Sequence, residues 1–194
     1  MKKQIKIFFV FTILSVSLAC CKNKKQIVVD QLTDTEEVEK PAFFPVTNYI
    51  KGQINQIPTN PLKYTTINGK TDSVWIKNEE FNKAFAEFLS PEIDSSHMEP
   101  LFKETKFSDK TLGTYTFTYE PKVKLPEAMT LHRWDVYVDF KTNEVRNIFM
   151  EKKYEGQTIQ LLWNNNANCK IVYINTDKNG NPFVDKEEFI KWDF

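Results

Sequence analysis

A chain of 194 residues that is 41% hydrophobic and 27% charged has ordinary globular composition, and it is long enough for one domain or at most two small ones. Its 26 basic and 26 acidic side chains balance, which speaks against the basic face that grips nucleic acid or anionic lipid. Arginine occurs only at Arg133 and Arg146, so guanidinium forks for phosphate or carboxylate are scarce.

The chain begins with Lys2, Lys3 and Lys6, and Ile7 to Ala19 then run 13 residues without a charge. As a helix this stretch would reach about 20 Å, short of the ~30 Å of hydrocarbon that a permanent span must cross. It reads as the apolar segment of an export signal. Ser17, Leu18, Ala19, Cys20 and Cys21 follow in a row that resembles the lipobox of bacterial lipoproteins. The resemblance implies that residues 1–19 are removed and that Cys20 carries palmitate and its companion lipid chains. The alternative register places the lipid on Cys21. In either register the next residue is not Asp, so by analogy with that family the inner-membrane retention signal is missing. The expected location is the cell envelope, in the outer membrane if the cell has one. Loss of the signal leaves 23 basic against 26 acidic residues.

Residues 20–40 read as a lipid-anchored polar tether. Their apolar members, among them Ile27, Val28, Val29 and Leu32, are too few for a core, and the segment reaches roughly 25 Å as a random coil. A single domain is expected over residues 41–194. Pro45 suits the first turn of a helix carrying Val46, Tyr49, Ile50, Ile54 and Ile57 on one face. Asn68 and Gly69, between 62–67 and 70–76, give the strongest hairpin signal, since both tolerate the positive φ of a type I′ turn. A second helix is expected from Asn78, with Phe81, Ala84, Phe85, Phe88 and Leu89 as its apolar stripe, ended by Pro91. Residues 91–106 read as irregular. Alternating strands then follow at 114–119, 132–140, 145–154, 158–163 and 169–175, an antiparallel meander. The expected fold class is α+β, with two N-terminal amphipathic helices packed on a mostly antiparallel sheet.

Candidate chemistry is thin. Asp94, Ser95, Ser96 and His97 hold the letters of a hydrolase triad but lie on one short segment, whereas a working triad assembles from separate elements. His132 and Cys169 form a conceivable thiol–imidazole pair, although nothing in their spacing brings them together. Cys169 has no partner in the folded region, which excludes an internal disulfide framework. Trp75, Trp134, Trp163 and Trp192 suit core packing as well as a ligand platform. Asp177, Asn179, Asn181, Asp185 and Glu188 resemble the ligand-bearing positions of an EF-hand calcium loop. Pro182, however, stands where that loop requires glycine, and a strand precedes it in place of the entering helix. The competing reading is a hairpin at Asn179 and Gly180, followed by a short helix capped by Asp185 with Glu188 as its box partner. These residues point to no catalytic set. The expected function is a non-enzymatic binding or scaffolding role for a lipoprotein held to the membrane by its lipid, with an unknown envelope component as partner and no nucleic acid. The alternative is a calcium-binding module, or an envelope enzyme using the C-terminal acidic loop or the His and Cys residues.

Overall fold

The computed structural model describes residues 43–193; the expected export signal, the expected tether and both candidate lipidation residues, Cys20 and Cys21, lie outside the described residues. Helix α1 (Val46–Asn55) opens the described part and turns Val46, Thr47, Ile50 and Ile54 inward. Its first turn is tied across the domain, because the buried Thr47 hydroxyl accepts the amide of Ile93 at 2.7 Å. Strands β1 (Leu62–Ile67) and β2 (Lys70–Trp75) form the expected hairpin, with φ of 50° at Asn68 and 74° at Gly69. The stretch expected as one helix from Asn78 is instead a 3₁₀ turn (Asn78–Glu80) followed by α2 (Phe81–Ala84) and α3 (Ala86–Leu89), which meet at Phe85. Phe85 and Phe88 carry out the packing that the apolar stripe implied. Both rings pack edge-on against Trp163.

The region expected to be irregular holds a short helix, α4 (Ser95–Met98), and an edge strand, β3 (Phe102–Asp109). From there the chain runs as a meander through β4 (Thr114–Pro121), β5 (Leu131–Asp139), β6 (Val145–Tyr154), β7 (Gln157–Asn164), β8 (Asn168–Thr176) and β9 (Pro182–Lys191). The helix expected at Asp185 does not form. Asp185 and Glu188 lie inside β9, where Lys186 to Lys191 pair with β8 on one side and β1 on the other and Asp185 is the unpaired residue of a bulge. Among the described residues there is one antiparallel sheet of nine strands in the order β2-β1-β9-β8-β7-β6-β5-β4-β3. The broad α+β class therefore holds, with the sheet dominant and the helices short.

The helical segments lie on one face, the inner face. Its cross-strand rows are apolar through the middle of the sheet. One runs Tyr119, Trp134, Met150, Leu161 and Ile171, and ends at Glu188 on β9. The next runs Val136, Ile148, Trp163, Cys169 and Ile190, and ends at Lys63 on β1. Aromatic rings fill the space above these rows, with Tyr119 stacked on Trp134 at 4.7 Å and Phe43 edge-on to both. The switch from apolar to charged residues at β9 and β1 marks where the helical cover stops.

Candidate functional site

Beyond that switch the inner face opens into a groove of about 360 Å³, bounded by the helical segment 80–87 on one side and by β1, β2, β8 and β9 on the other. Period-two alternation brings Ile171 and Tyr173 from β8, Glu188 from β9, Lys63 from β1 and Val74 from β2 to this face. Ile171 is buried and forms the floor, whereas Val74 and Trp75 at the rim keep 58% and 55% of their surface exposed.

The charges in and beside the groove are arranged in pairs. Glu188 meets the ammonium of Lys63 at 2.8 Å and that of Lys186 at 3.4 Å. Lys186 also sits over the Tyr173 ring, 3.9 Å from its centroid, a cation–π contact. On the helical side, the fully buried Lys152 of β6 donates to the Glu87 carboxylate at 2.7 Å and to the Glu87 carbonyl at 2.6 Å, fastening α3 to the sheet. Glu80 folds back to accept the amide of Lys77 at 3.1 Å. Two lining groups are left over. The Lys83 ammonium and the Tyr173 hydroxyl make no hydrogen bond or ion pair among the described residues. Burial, reinforced by the nearby charges of Glu188 and Glu87, pushes the Tyr173 phenol well above its ordinary range, so it remains protonated and remains a donor.

The residues singled out in the sequence are placed as follows. Asp94 caps α4, accepting the His97 amide at 2.9 Å, the His97 Nδ1 at 2.6 Å and the Ser96 hydroxyl at 2.6 Å. Serine and histidine thus both converge on the carboxylate, which holds Asp94 well below the usual carboxylate range and raises His97. Ser96 Oγ also lies 3.4 Å from His97 Nδ1, the same ring nitrogen that Asp94 holds, whereas a triad needs carboxylate and serine on opposite nitrogens of the ring. Here the cluster is a helix cap with an exposed ring. His132 lies on β5 and Cys169 on β8, three strand spacings or about 14 Å apart, and they do not meet. Complete burial pushes the Cys169 thiol up, away from the thiolate that nucleophilic or metal chemistry needs.

Asp177, Asn179 and Asn181 come together in the β8–β9 turn. There Asp177 Oδ1 accepts the amides of Asn179 and Asn181, each at 2.8 Å. Asp185 is the extra residue of a β-bulge, and Glu188 lies farther along the strand in its pairs with Lys63 and Lys186. The five EF-hand-like positions are therefore spread from a turn along a strand. Among the described residues no group of three or more His, Cys, Asp or Glu side chains is placed to hold a metal ion. Of the tryptophans, Trp134, Trp163 and Trp192 belong to the core, and Trp75 alone of the four is exposed.

A second cavity, about 330 Å³, lies on the outer face between Leu112, Thr114, Tyr137, Arg146, Phe149 and Leu162. Its guanidinium is already engaged, since Arg146 binds the Asp139 carboxylate through Nε and Nη2 and donates to the Leu112 carbonyl through Nη1. The inner groove is therefore the better-equipped site. A short helix capped by Asp185 with Glu188 as its box partner, the expectation from the sequence, would hide it, since Lys186, Glu188 and Ile190 would then be helical positions. Read with period two, those same residues share one face, and that alternation was the available signal.

No protein-family model matches the chain, and no curated protein and no solved structure matches it. Its function has to be argued from the groove and from the N-terminal sequence.

Proposed function

We propose that the chain is a lipid-anchored lipoprotein of the cell envelope, in the outer membrane where there is one, and that its folded part binds another envelope component in the inner-face groove without transforming it. The observation that carries the binding half is the state of the groove: it is open at the rim, its walls join apolar side chains to charged ones, and its carboxylates are already engaged. Glu188 and Glu87 are held by lysines and Glu80 by a backbone amide, so none is offered as a general acid or base. A cleft of this size that sets apolar side chains beside a few convergent polar groups suits a ligand site. The anchor half is supported by the 13-residue uncharged run ending at Cys20 and Cys21. The helical segment 78–89 serves in this reading as the fixed wall against which the ligand is held.

The test is made in cells carrying a photo-crosslinking residue in place of Val74. Labelled palmitate should enter the protein, and ultraviolet light should yield one discrete envelope adduct. Changing both Cys20→Ser and Cys21→Ser should abolish both signals. Palmitate labelling that survives the double change refutes the anchor, and the absence of an adduct from Val74 refutes the groove as the binding site.

A further inference from the structure

Building on the reading of the groove as a binding site, we infer that it takes an amphipathic organic anion, a compound with a compact apolar body and one carboxylate or similar group. The inference comes from what the groove has left uncommitted. Each of its carboxylates is engaged: Glu188 by two lysines, Glu87 by the buried Lys152, Glu80 by the Lys77 amide. The two unengaged polar groups, the Lys83 ammonium on α2 and the Tyr173 hydroxyl on β8, are both donors, and both line the cavity. A bound molecule that leaves them unpaired would bury them at a cost, which an acceptor placed against them offsets. An anionic acceptor also gains the charge-assisted bond to Lys83.

The walls set the rest of the molecule. Val74 and Trp75 at the rim and Ile171 at the floor offer apolar surface on two sides of a space of about 360 Å³, enough for a small aromatic or branched aliphatic body. A cation would meet Lys83 and Lys63 in the cleft, and the three carboxylates that would draw it there, Glu80, Glu87 and Glu188, are each already held by a lysine or a backbone amide. Neutral ligands would gain the walls and one neutral hydrogen bond, and would leave the ammonium charge without a partner.

The test uses the full chain in detergent micelles and three probes of one shape: 4-phenylbutyrate, 4-phenylbutanamide and 4-phenylbutylammonium. Partition into empty micelles is subtracted. Since Trp75 alone of the four tryptophans is exposed, acrylamide quenching of tryptophan emission reports on the groove rim. Phenylbutyrate should shield Trp75 at millimolar concentration, at least tenfold more tightly than the amide, with the ammonium compound weakest. Lys83→Gln should erase the preference for acid over amide, and Tyr173→Phe should weaken phenylbutyrate several-fold with an unchanged melting temperature. If acid and amide shield equally, or if the ammonium compound binds best, the anion inference is wrong and the groove remains a binding site. If none of the three shields Trp75, the inference and the reading of the groove as a ligand site fall together.

Discussion

Glu87→Ala should be among the more damaging single changes outside the aromatic core. The Lys152 side chain is 2% exposed, and its ammonium has two partners, the carboxylate and the backbone carbonyl of the same residue, Glu87. Removing the carboxylate leaves a buried cation with one neutral acceptor. Breaking a fully buried pair in this way costs about 3–5 kcal/mol. The Glu87 side chain is 32% exposed, so water already screens its end of the pair, and about 2–3 kcal/mol is the discounted expectation. Alanine is the better helix former, so propensity adds no penalty of its own. For a domain of this size the loss corresponds to a fall in melting temperature of roughly 5–10 °C. The control is Lys152→Met, which fills much the same slot with an apolar chain and leaves Glu87 free to turn to water. It should cost less than about 1 kcal/mol. The decisive measurement is the double variant. By circular-dichroism melts of the full chain, Glu87→Ala with Lys152→Met should melt above Glu87→Ala alone, because the unpaired charge is gone. A double variant that melts at or below the single one would show that packing by the lysine stem, and not the burial of its charge, sets the cost.

Two further predictions concern charge. His97 and His132 are the only histidines in the chain, so their imidazole resonances can be followed individually by NMR. His97 is raised, first by its hydrogen bond to Asp94 and then by that carboxylate's charge, while His132 is lowered, first by burial and then by Lys153. Their midpoints should fall on opposite sides of the ordinary value of about 6.5, and Asp94→Asn should bring His97 down. The His97 pair accordingly supports the fold fully below the ordinary histidine range and loses that support as pH rises through its raised midpoint; His132 acts the other way, and protonating it in acid opposes folding. Midpoints that coincide would refute the placement of both rings. Melts in millimolar calcium and in chelator should coincide for the wild type. Glu188→Gln should lower both equally, by about 1 kcal/mol, through the loss of its contacts with Lys63 and Lys186. A calcium-dependent rise of several degrees that vanishes in Glu188→Gln would instead make residues 177–188 a metal site.

What could be read from the sequence was what is local. The Asn68–Gly69 hairpin, α1 and strands β4 to β8 all follow from short-range signals, a turn pair with positive φ or an alternation over a few residues. The two strands that were missed are those whose letters serve another purpose. In β3, Lys103, Glu104 and Lys106 give an edge strand the charge that discourages pairing with a further chain, and that charge hides its period. In β9, Asp185 and Glu188 stand three apart, the spacing of a capping box, and the bulge at Asp185 interrupts the alternation that would have announced a strand.

The groove was invisible for a different reason. Its floor and one wall arise where the N-terminal hairpin docks on the last strand, a pairing of β1 with β9 that sets Lys63 beside Glu188 across 125 positions of sequence. No window of ten or twenty residues contains both partners. The hairpin also explains why the groove stays open. Helical segments 46–55 and 78–89 cover the meander, whereas the hairpin's inner face is largely charged and polar, with Lys63, Thr65 and Asp72 beside Val74, and gives an apolar helix little to bury against. At the free edge, Asp72 accepts the Ser73 amide at 2.8 Å and so withdraws one of the donors that an incoming strand would need. The same hairpin thus stops the helical cover and blunts the sheet edge, and what remains exposed between those two effects is the apolar rim of Val74 and Trp75.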